Sequence, residues 1–127
     1  MKLWIDDVRP APDGYTWLKS VDDAILVILC REETARKCSD QAYALEKDFK
    51  YEFAKRIGSL VKESIIEIID IDYDAGEFAK YGGDYIKLLD WLEETGRKYP
   101  IRIHSMNPVG VANMRRIIKR NDWEEVR

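Results

Sequence analysis

Three acids fall in the stretch Ile69–Gly76, "IDIDYDAG", at the end of an unbroken apolar approach, "SIIEI". Asp70, Asp72 and Asp74 alternate there with Ile71 and Tyr73. Carboxylates gathered at a strand end repel one another and take up protons unless a cation or a donor offsets them. A hard divalent ion with oxygen ligands is their natural partner; Mg²⁺ commonly uses one or two carboxylates with waters and a phosphate. Two other strings carry related chemistry. Asp6-Asp7 closes the apolar run "KLWI", and His104-Ser105, followed by Asn107, closes "IRI". His104 is the single histidine of the chain. It stands just upstream of an expected helix start, where free N–H groups favour anions.

Each piece also has an ordinary structural reading. Asp6-Asp7 before a proline-rich loop suits a solvated strand end, and Asp72 and Asp74 suit turn acids ahead of Gly76. Asp70 lies on the same side of its strand as Asp72 but two residues deeper. It reads as structural, paired with a cation from a covering helix. Tyr73 reads as a packing or rim residue. Arg115, Arg116, Lys119 and Arg120 read as a solvated face near a helix C-terminus, where cations suit the dipole.

These residues need elements that bring them together. "KLWID" reads as a central strand, and "DVRPAPDG" as a loop, because Pro10 and Pro12 remove donors and favour extended neighbours. "YTWLKS" suits a second short strand. Ser20 caps a helix with Asp22 and Asp23 in its first turn and Ala24, Ile25, Ile28 and Leu29 on its core face. A further helix is expected from Arg31 to Glu63, capped by Ser39 or Asp40, with a stripe of Ala42, Leu45, Phe49, Phe53, Ile57 and Leu60 packed inward. The β-branched run Ile65–Asp72 reads as a strand covered on both faces. A helix capped by Asp84 and closed by Gly96 follows, then the strand Ile101–Ser105, a last helix and a short tail. Strands separated by helices predict a parallel sheet with right-handed crossovers. Ligands bind beyond the carboxyl ends of such strands, so Asp6, Asp72 and Ser105 are expected at one edge.

Composition sets the bounds. The chain has 127 residues, 46% hydrophobic and 35% charged, which suits one globular domain spanning 1–127. Its net charge of −3 argues against general DNA binding. No apolar run approaches a membrane span. Two cysteines, Cys30 and Cys38, without a CxxC spacing make no disulfide framework and suit a reducing cytoplasmic setting.

The strings "KLWIDDVRPAPDGYTWLKSVDDA", "DIDYDAG" and "IRIHSMNPVG" together resemble the cyclic-phosphate processing receiver-like family, an offshoot of the response-regulator receiver fold. The likeness covers most of the chain outside about residues 31–63, the helical insertion. It implies an α/β, receiver-like (flavodoxin-like) three-layer sandwich with a short parallel sheet. It also implies a metal-supported acidic site that binds or processes cyclic phosphates, on nucleotides or RNA ends, in prokaryotic or phage conflict systems. Asp6, Asp7 and Asp72 would then hold Mg²⁺ or Mn²⁺. His104, Asp72 and Asp74 would be catalytic, and Ser105, Asn107 and Arg9 would contact substrate. Family members tend to show Asp-His-Asp where this chain has Asp72-Tyr73-Asp74, and the phosphate-reading lysine of signalling receivers has no counterpart. Two outcomes are therefore open. One is a metal-dependent phosphoesterase. The other is an inactive receiver-like module that recognises a nucleotide, or a protein through its inserted helix.

Overall fold

Four short strands, rich in β-branched and aromatic residues, form one parallel sheet. They are β1 (Lys2–Ile5), β2 (Tyr15–Leu18), β3 (Ile68–Ile71) and β4 (Ile101–Ile103), ordered β2-β1-β3-β4. The helices are α1 (Val21–Asp48), α2 (Ile86–Glu94) and α3 (Pro108–Arg120), with a 3₁₀ turn over Gly76–Lys80. The computed structural model describes the backbone of residues 1–48 and 65–127, and the side chains of 1–37 and 65–127.

The chain steps in one direction across the sheet from β2 through α1 to β3, and through α2 to β4. Right-handed crossovers then place both helices on the same face, and α3 packs beside α2. Alternation gives that face Leu3, Ile5, Ile69, Ile71 and Ile101, all fully buried. They share one core cluster with Val21, Ala24 and Ile28 of α1, Leu88, Leu89 and Leu92 of α2, and Met114, Ile117 and Ile118 of α3. The step from β1 to β2 runs the other way, and its proline-rich loop crosses the opposite face. Trp4 Nε1 fastens it there by donating to the Arg9 carbonyl at 2.9 Å. The layers are thus helices, sheet and a thin cover of loop, the α/β receiver-type arrangement that the sequence predicts.

Several boundaries differ from expectation. β3 is shorter than Ile65–Asp72, because Ile65, Ile66 and Glu67 precede its first ladder residue and Asp72 follows its last; β1 and β4 end before Asp6 and His104. α1 runs unbroken through Ser39 and Asp40. No glycine or proline interrupts that stretch, so neither residue acts as a cap. Ser20 does cap α1, its hydroxyl accepting from Asp23 N at 3.1 Å. Ala24 and Ile28 are buried, but Leu29 is 42% exposed and faces away from the core. The stripe Ala42, Leu45, Phe49, Phe53, Ile57 and Leu60 lies outside the residues whose side chains are described. Asp84 does not cap α2: its carboxylate accepts from Ala75 N at 3.1 Å instead, tying down the 3₁₀ segment. Gly96 has φ +68, the left-handed conformation expected after a helix end. In the tail, Trp123 is buried and Ile101 bridges to Glu125, partly covering the β4 edge.

Candidate functional site

Register assembles the site. Asp72 N donates to the Ile5 carbonyl at 2.9 Å, and His104 N donates to the Ile71 carbonyl at 3.0 Å. Asp6, Asp72 and His104 therefore sit side by side, one step beyond β1, β3 and β4. Because side chains alternate, all three point to the face opposite the helices, above Trp4, Asp70 and Arg102 of the row below.

His104 reaches back over β3. Its Nδ1 lies 2.6 Å from Asp70 Oδ1 and its Nε2 lies 2.9 Å from Asp6 Oδ2. The ring also stacks flat on Trp4, with centroids 3.8 Å apart and planes 4° from parallel. A neutral imidazole carries a single N–H, so only the doubly protonated ring donates to both carboxylates at once. Asp70 is fully buried, and its second oxygen accepts no hydrogen bond. The Arg102 guanidinium stands 3.6 Å from that oxygen and supplies charge without hydrogen-bond geometry. Asp70 thus pairs with His104 and Arg102 of the neighbouring strand, not with a cation from a covering helix. The sequence reading assigned it no part in the site, and the structure puts it in contact with the central side chain.

Asp6 divides its work between two oxygens. Oδ1 accepts from Val8 N at 2.9 Å and Arg9 N at 2.8 Å, forming the turn that starts the loop. Oδ2 faces His104 and, at 3.5 Å, Arg9 Nε. Burial alone would raise the Asp6 carboxyl; hydrogen bonds from Arg9 N–H and Val8 N–H, then His104, outweigh it and hold the group below the usual carboxylate range. Trp17 Nε1 donates to the Asp6 carbonyl at 2.7 Å. Two indoles therefore pin the strand end and the loop, a role that sequence reasoning missed. The available signal was two tryptophans, Trp4 and Trp17, at opposed register positions flanking "DDVRPAPDG".

Arg9 is the cation of the cluster. Its guanidinium donates to the His104 carbonyl at 3.0 Å and stands 3.9 Å from Asp72 Oδ2, with its side chain about half exposed. The other Asp72 oxygen accepts from Tyr73 N at 2.7 Å. Arg9 does not offset the acids around Asp7. Burial, then the charges of Asp6, Asp72 and Asp74, outweigh a backbone hydrogen bond and lift the Asp7 carboxyl above its ordinary range. The Asp7 carboxylate packs against Gly76, whose φ of +55 and lack of a Cβ leave it room. The Tyr85 hydroxyl is likewise pushed up, by burial and then by Asp7, Asp6 and Asp72; it stays protonated and donates to the Lys19 carbonyl at 2.8 Å. Asp6, Asp72 and His104 each offer a ligand atom within 4.8 Å of the others, a group able to hold a metal ion. The surplus of negative charge felt by Asp7 fits a cation there.

The remaining expected residues lie on the margin. Asp74 is exposed. Asn107 caps α3, its Oδ1 accepting from Gly110 N at 3.1 Å, and the Ser105 hydroxyl accepts from Asn107 N at 3.1 Å. Both side chains are engaged in shaping the helix start. Tyr73 packs on the same turn, so close to Gly110 that a Cβ there would overlap its ring. Cys30 is a free, exposed thiol remote from these residues in sequence. No described helix is long and apolar enough to cross a membrane.

Neither a curated protein nor a solved structure matches the chain. One family model does, over residues 1–120, and its span takes in β1, the loop, β3, β4 and the His104–Asn107 turn, all the elements that build the site. The acid–histidine cluster on a short parallel sheet is thus found in a chain that belongs to the cyclic-phosphate processing receiver domain family.

Proposed function

We propose that the chain binds a cyclic phosphodiester over the Asp6–Asp72–His104 row and opens it by hydrolysis, supported by a divalent cation. The observation that carries this reading is the clamp on His104: a carboxylate at each nitrogen, an indole beneath the ring and a guanidinium at its carbonyl. Such a ring has a fixed plane and a fixed proton-bearing edge, as general acid catalysis needs.

Asp70 and Trp4 hold the Nδ1 side, so Nε2 is the working nitrogen. With a ring oxygen of the phosphodiester taking the place of Asp6 Oδ2 at Nε2, the Nε2 proton passes to that oxygen as its bond to phosphorus breaks. Water adds to phosphorus, and its surplus proton passes to the carboxylate cluster. The product is a phosphomonoester beside a free hydroxyl. Arg9 exchanges its carboxylate contacts for a non-bridging phosphate oxygen; at the α3 start Pro108 has no N–H and those of Asn107 and Gly110 are taken by Ser105 and Asn107, which leaves the Val109 N–H for the same charge. Asp6, Asp7 and Asp72 would hold the cation. Carboxylate oxygens suit Mg²⁺ or Mn²⁺, whereas a set including His104 nitrogen would suit zinc or iron. When bound, the ion supplies Lewis-acid polarisation of a phosphoryl oxygen.

A second reading, a binding module that performs no chemistry, draws on the same ring. The His104 side chain is only 9% exposed, and both nitrogens are already satisfied. A locked imidazole of this kind also suits a rigid floor beneath a bound phosphate. Incubation with 2′,3′-cyclic nucleotides and Mg²⁺ or Mn²⁺, followed by phosphorus NMR, separates the two. The hydrolytic reading expects phosphomonoester from the native chain and a loss of about 10² or more in rate for His104→Ala. Binding without turnover across the panel moves the assignment to the module. Neither binding nor turnover overturns both.

A further inference from the structure

β4 is an edge strand that the tail of the chain covers only in part. Ile69 N donates to the Pro100 carbonyl and His104 N to the Ile71 carbonyl, both at 3.0 Å. In a parallel ladder that pattern turns the N–H and C=O of Ile101 and Ile103 away from β3, toward the open edge. The tail meets the first of these residues. Ile101 N donates to the Glu124 carbonyl at 3.0 Å, and Val126 N donates to the Ile101 carbonyl at 2.7 Å. There the added ladder stops, after the single bridge between Ile101 and Glu125. Among the described residues no group bonds the outward N–H and C=O of Ile103, which is only partly buried.

A groove of about 570 Å³ along α3 borders this gap at two points. Arg115 lines it and is held at 3.1 Å by Glu125, the residue that bridges Ile101. Ser105 lines it two residues beyond Ile103. Ile103 lies between these two. The groove surface includes Met106, Val111 and Ala112, with Met106 85% exposed, and no acid lines it. Glu125 neutralises Arg115, which leaves the exposed cations Arg116 and Lys119. Arg116 bonds only the neutral Asn113 among the described residues, and Lys119 has no ion pair among them.

Unpaired main-chain groups select a peptide, because another extended backbone offers a donor and an acceptor at ladder spacing. Charge selects its side chains. The tail sets the precedent, placing the Glu125 carboxylate on Arg115 while the main chain on either side pairs with Ile101. A strand that continued the pattern past Ile103 would set acids toward Arg116 and Lys119 and an apolar side chain against Met106 and Val111.

We propose that the open part of the β4 edge, with the groove on α3, docks an extended acidic and apolar segment of a partner protein by strand addition. The surface does not depend on the chemistry of the His104 row.

The test uses a fluorescein-labelled hexapeptide with blocked ends that repeats the tail's Glu-Glu-Val, added to the full chain at low salt. Anisotropy reads affinity, and amide exchange by NMR reads the Ile103 N–H. Expected is a Kd below about 1 mM, with exchange at Ile103 slowed about tenfold or more by saturating peptide. Arg116→Gln/Lys119→Gln should weaken binding about fivefold, the scale of two exposed charge pairs. The same peptide methylated at every amide nitrogen keeps its side chains but donates no main-chain hydrogen bond; it should bind at least about tenfold more weakly. Equal binding of the methylated peptide overturns strand addition. Protection at Trp17 of the other edge strand, and not at Ile103, overturns the placement. A Lys-Lys-Val hexapeptide bound as tightly overturns the charge assignment. An oligouridylate that displaces the peptide and binds more tightly gives the groove to nucleic acid and overturns the proposal. Ile103 protected without peptide in a dimer seen by sedimentation gives the edge to a second copy and overturns it too. So does the absence of any binding.

Discussion

Asp70 is the residue whose environment says most about His104. A buried carboxylate with one oxygen that accepts no hydrogen bond is costly, and the single hydrogen bond of Asp70 is with Nδ1 at 2.6 Å. Removing one member of a buried pair leaves the other uncompensated, so Asp70→Ala should cost about 3 kcal/mol in urea unfolding. Asp70→Asn keeps the volume but not the charge. It should fold with a smaller loss while turnover drops by about 10² with little change in KM, as when a histidine loses the acid that fixes its tautomer. A fall in KM alone would contradict this. The two acids of the first strand end should respond to pH in opposite senses. Asp6 has a folded-state pKa below its unfolded value. It adds stability above the unfolded pKa and loses that contribution as pH falls through the folded one. Asp7 has its folded value raised. Its favourable contribution is full below the unfolded pKa and disappears as pH rises through the folded one. In metal-free protein, Asp7→Asn should therefore raise the melting temperature near neutrality, whereas Asp6→Asn should lower it. Thermal melts between pH 3 and pH 8, an interval on the order of the carboxylate titration range and beyond it, check both signs.

At the scale of elements, the α3 start is the joint that carries the His104 turn. Pro108 opens the helix, Asn107 caps it, and Gly110 lets the Tyr73 ring lie against the helix backbone. Gly110→Ala should cost about 2 kcal/mol by overpacking, even though alanine is the better helix former. Tyr73→Ala should be destabilising alone, yet should relieve part of the Gly110→Ala penalty when combined with it. A double-mutant cycle by chemical denaturation reads that coupling. Additive costs would show that the ring moves aside freely. The same joint explains why Asn107 and Ser105, chosen from sequence as substrate contacts, are spoken for locally: "SMNPVG" contains its own capping instructions. By contrast, Asp84 looked like a cap and serves Ala75 instead, because the intervening segment folds back over nine residues.

For the whole molecule, the sheet and the edge that collects Asp6, Asp72 and His104 were legible because each strand is an apolar run that meets charge abruptly. What was not legible depended on register between distant strands. Nothing local reveals that His104 turns back to Asp70 and lies on Trp4, 100 residues away in the chain. The length of α1 was hidden for the opposite reason: Ser39 and Asp40 carry capping chemistry, yet nothing breaks the helix around them. The family model agrees with the resemblance read from three short strings. A global measurement checks the charge balance. Mg²⁺ or Mn²⁺ should raise the melting temperature of the native chain, and Asp72→Asn should abolish that gain while leaving the metal-free melt unchanged or slightly higher. His104→Ala should keep the gain. An unresponsive native chain would remove the metal from the scheme.

The clamp on His104 also has a consequence in time. During synthesis Asp70 leaves the ribosome some thirty residues before the histidine that satisfies it, and Asp6 almost a hundred before. Until β4 arrives, β3 is an edge strand whose Asp70 lacks both the His104 nitrogen and the Arg102 charge that meet it in the folded chain. A chain halted before Pro100 should therefore remain more open to protease than the completed one.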